Sequence, residues 1–112
     1  MDSSKKLIAV GNYESVLPFK ALGLEVFVVT DGNVDDLGTK ISQLSRENYA
    51  ALFLTEDLCK RFADVVQEVN STEAVSIVPI PAQGMSTNYG LRGIRAIVER
   101  AVGMDVFKQE DE

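Results

Sequence analysis

Hydrophobic positions along the chain follow two different spacings. Short runs of consecutive apolar residues, rich in β-branched side chains, are typical of strands buried in a parallel sheet. Between these runs, apolar residues recur every three or four positions, as in helices that bury one face. Strands are predicted at Lys6–Val10, Leu24–Thr30, Ala50–Leu54 and Ala74–Ile80, and helices at about 14–22, 34–47, 56–69 and 89–102.

Residues that favour helix ends lie at several of these boundaries. Asn12 or Ser15 is expected to cap the first helix, and Thr55 the third, because their side-chain oxygens accept hydrogen bonds from free backbone N–H groups. Pro18 is acceptable only in a first turn, where its missing N–H needs no partner. Gly23 is expected directly after the first helix, where a left-handed backbone is common.

The elements follow the order βαβαβαβα. Strands joined by helices of this length form right-handed crossovers and a parallel sheet. We therefore predict an α/β fold with a four-stranded, doubly wound, Rossmann-like sheet, followed by a C-terminal helix and tail. The chain is interpreted as one domain, 1–112, with its core at about 5–103 and a tail at 104–112.

Charge and hydropathy exclude several classes of partner. The 112 residues carry a net charge of −6, and no basic cluster exceeds Lys5-Lys6. Binding to nucleic acid or anionic lipid is therefore not expected, because both require a basic surface. The apolar run Leu7–Val10 is too short for a signal peptide, and no run is long enough to span a membrane. We expect a cytoplasmic protein without direct membrane insertion.

The chain lacks the residues on which common catalytic sites depend. It has no histidine and one cysteine. Nucleophile systems of the Ser-His and Cys-His types and the commonest zinc sites are therefore excluded. Gly11-Asn12 after the first strand lacks the further glycines of a dinucleotide-binding loop, so it is interpreted as a simple turn. Cys59 is interpreted as a partly buried small hydrophobic residue.

Acidic residues near the predicted strand ends leave one alternative function open. Asp31, Glu56 and Asp57 would form a magnesium-binding pocket if the chain were a receiver-like or small-ligand-binding signalling module. However, Asn12 and Thr55 stand where a receiver domain has acidic residues. Glu56 and Asp57 are also explained as charges that favour a helix N-terminus.

The C-terminal third is unusual in its apolar residues. A long polar loop leads into the last predicted helix, and apolar side chains continue beyond it in the tail. They either fold back on the domain or contact a partner. The candidate contact residues are Arg92, Arg95, Glu99, Met104, Val106 and Phe107.

Four segments in order carry a family resemblance. The strand, turn and helix at 7–23 resemble the opening of the F subunit of the V-type and archaeal A-type rotary ATPases. The junction Ala51–Glu56, the strand end Pro79–Pro81 and the closing stretch Gly90–Val106 are similar to later motifs of the same family. Asn12 stands where aspartate is commoner in the family, and Gly93 where glutamate or arginine is usual.

The resemblance implies a non-catalytic component of the central stalk, without a cofactor or metal. Such a component binds the coiled-coil D subunit, and the pair turns inside the catalytic A/B hexamer. The complex couples ATP turnover to ion translocation, and this component lies in its cytoplasmic, membrane-peripheral part. The C-terminal helix and tail are the expected contact with the D subunit.

Overall fold

The computed structural model describes residues 6–73, 75–82, 95, 96 and 98–100. Its strands are β1 (Lys6–Gly11), β2 (Glu25–Val28), β3 (Tyr49–Thr55) and β4 (Ser76–Ile80). Its helices are α1 (Tyr13–Ala21), α2 (Leu37–Ser45), α3 (Glu56–Arg61) and α4 (Ala63–Thr72), and a 3-10 turn at Val34–Asp36 precedes α2. Residues 95, 96 and 98–100 are also helical and are called the C-terminal segment.

The strands form one sheet in the order β2-β1-β3-β4. All three strand pairs are parallel. From β1 the chain moves outward to β2, then crosses back over β1 to β3 and on to β4. Crossovers of this kind are right-handed as a rule, so this reversal of direction is expected to place the connecting helices on opposite faces, and α1 does pack on the face opposite α2, α3 and α4. The predicted doubly wound α/β fold is confirmed.

Alternate residues of each strand enter two separate cores, one on each face of the sheet. The first core lies under α2, α3 and α4 and consists of Ile8, Val10, Leu37, Ile41, Leu44, Tyr49, Leu52, Leu54, Leu58, Val69, Val75 and Ile77. The second lies under α1 and the C-terminal segment and consists of Ala9, Val16, Phe19, Leu24, Ala51, Phe53, Ile80 and Val98. The strands therefore bury both faces, which explains their continuous apolar runs.

Gly23 ends α1 as predicted. It has a φ angle of 98°, which residues other than glycine rarely adopt. The N–H groups of Gly23 and Leu24 donate to the carbonyl groups of Lys20 and Phe19, at 2.9 and 3.1 Å. This pair of bonds is a Schellman motif, and it turns the chain directly into β2.

The start of α1 differs from the prediction. Asn12 occupies the cap position, but its side chain makes no capping hydrogen bond and instead accepts one from the Ser15 hydroxyl. Pro18 lies in the second turn, so one backbone hydrogen bond, to the carbonyl of Glu14, cannot form. Burial of Val16 and Phe19 holds this part of the chain against the sheet despite that loss.

The second and third predicted helices are each divided. The second begins as the 3-10 turn and ends at Ser45, two residues early. The third breaks at Phe62, whose φ and ψ angles are −113° and 39°. The Phe62 N–H still donates to Leu58, and its carbonyl accepts from Val66, so both helices keep a hydrogen bond at the break.

Pro79 lies inside β4. A proline cannot donate a hydrogen bond within a sheet, and it is therefore tolerated on edge strands. β4 is an edge strand in the observed order.

A polar contact joins the amino ends of three strands. The Tyr49 hydroxyl donates to Glu25 Oε1 at 2.7 Å, and Lys6 Nζ lies 3.2 Å from Glu25 Oε2. The hydrogen bond from Tyr49, and then the one from Lys6, lower the pKa of Glu25. Burial and the bond to Glu25 raise the pKa of Tyr49 to about 12. The contact connects β2 and β3, which are not neighbours in the sheet.

We expect Tyr49→Phe to lower the free energy of unfolding at pH 7 by about 1 kcal/mol, because it removes a hydrogen bond to a half-exposed carboxylate. Since the pKa of Glu25 is lower in the folded chain, this contribution is full above its ordinary pKa of about 4.3 and is lost as pH falls through the lowered value. Urea unfolding at pH 7 and pH 3.5 measures the difference. If the wild type and Tyr49→Phe differed in free energy of unfolding by the same amount at both pH values, this account would be contradicted.

Candidate interaction surface

In the described part of the chain, a shallow cleft lies at the carboxyl edge of the sheet, where ligands bind in open α/β folds. Its volume is about 230 Å³. Ligand sites usually occupy about 300–1,000 Å³. The cleft is lined by Asn12, Val29, Thr30, Asp31, Val34, Asp57, Leu58 and Arg61.

The structure does not assemble the acidic pocket of the alternative prediction. Asp31 and Asp57 line the cleft, but Glu56 is exposed and is not part of its lining. The described residues contain no grouping of three or more histidine, cysteine or acidic side chains that could hold a metal ion. Arg61 lies beside these acids and forms an ion pair with Asp35 at 3.1 Å. The receiver-like magnesium site is therefore a wrong prediction for these residues.

The crevice between β1 and β3 is filled by the protein itself. The chain reverses direction between these two strands, which is the usual ligand position in this fold. There Thr55 packs directly over Gly11, so that a Cβ atom at Gly11 would lie 2.5 Å from Thr55 Cγ2. This close packing leaves no room for a side chain at position 11, which explains the glycine there. The space beside it is not available to a phosphate group.

Contrary to the prediction, Thr55 does not cap α3. It precedes the helix, but it makes no side-chain capping bond. Its side chain is fully buried, and Oγ1 has no hydrogen-bond partner. Its methyl group packs over Gly11.

Cys59 is a half-buried thiol, as predicted. Its Sγ donates a weak hydrogen bond to the carbonyl of Leu54 at 3.5 Å. Burial, and then the charges of Glu56 and Asp57, raise its pKa to about 11. The reactive thiolate is therefore scarce at neutral pH.

We expect Cys59 to react with iodoacetamide at pH 8 on the order of 100-fold more slowly in the folded chain than in the chain unfolded in urea, because ionisation is suppressed. Mass spectrometry after timed quenching measures both rates. Equal rates of alkylation in the folded and unfolded chain would show that the thiol is not buried and that its pKa is not raised.

Two residues of the predicted partner contact lie in the C-terminal segment. Arg95 Nε is 3.1 Å from Glu99 Oε2, one helical turn apart, and both side chains are partly exposed. Val98 between them is fully buried in the second core. The segment therefore packs on the sheet through Val98 and presents charged groups beside it. Arg92, Met104, Val106 and Phe107 lie outside the described residues.

The structure reveals an apolar surface that the sequence analysis missed. Tyr13 and Leu17 of α1 are 58% and 42% exposed, and they are the exposed large hydrophobic residues among those described. They lie four positions apart on α1 and therefore share one side of the helix. That spacing is visible in the sequence, but their exposure depends on which side of the helix meets the sheet.

None of the helices in the described part of the chain combines the length and apolar content that crossing a membrane requires.

Known proteins of similar sequence cover nearly the whole chain. Residues 7–98 match the model of a family described as ATP synthase (F/14-kDa) subunit. The chain is 34% identical to the F subunit of the V-type ATP synthase of Fusobacterium nucleatum over 91% of this chain and 95% of that protein. It is 34% identical to the protein of the same name from Clostridium botulinum strain Eklund 17B, over 92% and 98%. For the Clostridium perfringens protein the identity is 33%, over 96% and 100%.

Proposed function

Because the chain belongs to the family described as ATP synthase (F/14-kDa) subunit, we propose that it is the F subunit of a V-type ATP synthase and that it acts in the central stalk without catalysing a reaction. The family match over residues 7–98, with relatives covered almost end to end, carries the proposal. It confirms the family resemblance found in the sequence motifs.

A non-catalytic role agrees with the carboxyl edge of the sheet. Thr55 packs over Gly11, and the nearby cleft in the described part of the chain, about 230 Å³, is small for a nucleotide. The thiol of Cys59 is un-ionised at neutral pH. What the domain offers instead is a firmly packed sheet with helices on both faces, which suits a part that transmits force between larger subunits.

The proposed partner is the coiled-coil D subunit, which forms the shaft of the stalk. The contact is made by the C-terminal helix and tail, through Arg92, Arg95, Glu99, Met104, Val106 and Phe107. Val98 fixes the C-terminal segment to the sheet, so that a force on the charged side chains beside it is passed to the whole domain. The joined subunits turn within the A/B hexamer, at the periphery of the membrane, and couple ATP turnover to ion translocation.

Size-exclusion chromatography of the chain mixed with the D subunit at micromolar concentration tests the partner. We expect one co-eluting complex. Separate elution would contradict the proposal.

Charge exchange tests the contact residues. Arg95→Glu with Glu99→Arg keeps an ion pair one turn apart, in the more favourable order for a helix, while it reverses the charges shown to a partner. We expect weaker binding of the D subunit. The matched control is Arg61→Asp with Asp35→Arg, which reverses an exposed ion pair on the other face of the sheet and should leave binding unchanged. Equal binding by both variants would remove Arg95 and Glu99 from the interface.

A further inference from the structure

The two edges of the sheet are formed by β2 and β4. An edge strand carries backbone N–H and C=O groups that face away from its one neighbour, and a strand of another molecule can pair with them. The tendency to pair is strong at β2, because residues 26–29 are consecutive apolar residues, rich in β-branched side chains. One asparagine side chain bonds to backbone groups of this kind at each edge.

Asn33 covers the outer side of the chain at the end of β2. The Val29 N–H donates to the Gly11 carbonyl of β1 at 2.8 Å. Since successive residues of a strand direct their backbone groups to opposite sides, residues 28 and 30 face outward. The Asn33 side chain donates through Nδ2 to the Val28 carbonyl at 3.1 Å and accepts at Oδ1 from the Thr30 N–H at 2.8 Å.

This carboxamide reproduces the bonding of a neighbouring strand. In a parallel sheet, one residue donates its N–H to a carbonyl of the adjacent strand and accepts at its own carbonyl from the N–H two positions further along. Asn33 uses one donor and one acceptor in the same way, across positions 28 and 30. Its side chain therefore takes the place that an incoming strand would need.

Asn70 of α4 covers the outer side of β4. Its Oδ1 accepts from the Ile77 N–H at 2.8 Å. Because that N–H binds a helix side chain and not β3, residues 77 and 79 face outward. The second of them is Pro79, which has no N–H to offer. Within β4, the outward side therefore has no N–H left with which another strand could pair.

We propose that Asn33 and Asn70 close the two edges of the sheet to strand pairing and so keep the domain from joining a second copy of itself edge to edge. A second copy is the relevant partner, because β2 of one molecule would extend the sheet beyond β4 of the next, in a contact that repeats without closing. The asparagine bonds replace those that such a contact would form, so pairing gains nothing there. Both bonds lie within the domain, so this role is independent of the proposed function.

The double variant Asn33→Ala with Asn70→Ala tests this role, because it frees the backbone groups that the two side chains hold. Sedimentation velocity over a range of concentrations measures self-association. We expect the association constant to rise at least about tenfold over that of the wild type. The matched control is Phe19→Leu, which lowers stability in the second core and leaves both edges as they are. It should sediment as the wild type does.

Amide hydrogen exchange locates the contact. In the dilute double variant the Thr30 and Ile77 amides should exchange faster than in the wild type, and they should become protected again as copies associate. Asn70→Ala alone removes a single hydrogen bond, and it carries the same test at Ile77 if the double variant shows no urea unfolding transition.

Three results would overturn the proposal. The first is a double variant that associates no more than the wild type. The second is equal association of the double variant and Phe19→Leu, since lost stability would then be the cause. The third is association without renewed protection of the Thr30 and Ile77 amides, since the copies would then join elsewhere.

Discussion

Phe19→Ala is expected to lower the free energy of unfolding by about 3–5 kcal/mol. Phe19 is 1% exposed and stacks on Phe53 of the central strand β3, with ring centroids 5.6 Å apart and planes inclined by 27°. The substitution loses the transfer energy of the ring and leaves a cavity between α1 and the sheet. Since Pro18 already costs α1 one backbone hydrogen bond, burial of Phe19 together with Val16 holds the helix on the sheet.

Urea denaturation followed by circular dichroism measures this loss. Phe19→Leu fills most of the same space and should cost only about 1 kcal/mol. We also expect Phe19→Ala to weaken binding of the D subunit, because α1 would no longer be held in place. A cost below about 1 kcal/mol for Phe19→Ala would show that α1 is not anchored by this ring.

Gly11→Ala adds a single methyl group and is expected to lower the free energy of unfolding by about 2–3 kcal/mol. The new Cβ would lie 2.5 Å from Thr55 Cγ2, which is closer than two non-bonded carbon atoms can approach without strain. Both residues are held in neighbouring strands of the sheet, and Thr55 is fully buried, so neither backbone can move aside easily. The clash would therefore distort the pairing of β1 with β3.

A double-mutant cycle identifies the cause of that loss. Thr55→Ser removes the methyl group that causes the clash, so Gly11→Ala combined with Thr55→Ser should be more stable than the sum of the two single effects by at least about 1 kcal/mol. Gly32→Ala is the control, because a Cβ at Gly32 would meet only Thr30 Oγ1 at an ordinary 3.6 Å. Additive effects would mean that the Thr55 methyl group is not the obstacle.

The sheet could be predicted because strands that are buried on both faces have continuous runs of apolar residues. The central strands β1 and β3 are buried on both faces, and their apolar runs are therefore continuous. The break at Phe62 could not be predicted, since Leu58, Phe62 and Val65 keep a helical spacing across it. The break depends on how these side chains pack against the rest of the core, and that packing is a property of the assembled domain.

The candidate surface was only partly visible in the sequence. The absence of histidine excluded nucleophile systems of the Ser-His and Cys-His types from composition alone. The role of Thr55 was predicted wrongly, because a threonine before a helix usually caps it, whereas here its methyl group packs over Gly11 from the next strand. The exposure of Tyr13 and Leu17 depends on which side of α1 meets the sheet. The spacing of apolar residues in the sequence does not show which side that is.

Calorimetric titration of the chain into the A/B hexamer, with and without the D subunit, tests the central claim that this domain docks on the shaft and performs no chemistry. We expect a single-site isotherm when the D subunit is present, no heat with the hexamer alone, and no heat with magnesium and ATP in the absence of other subunits. Binding to the hexamer without the D subunit, or binding of the nucleotide by the isolated chain, would contradict it.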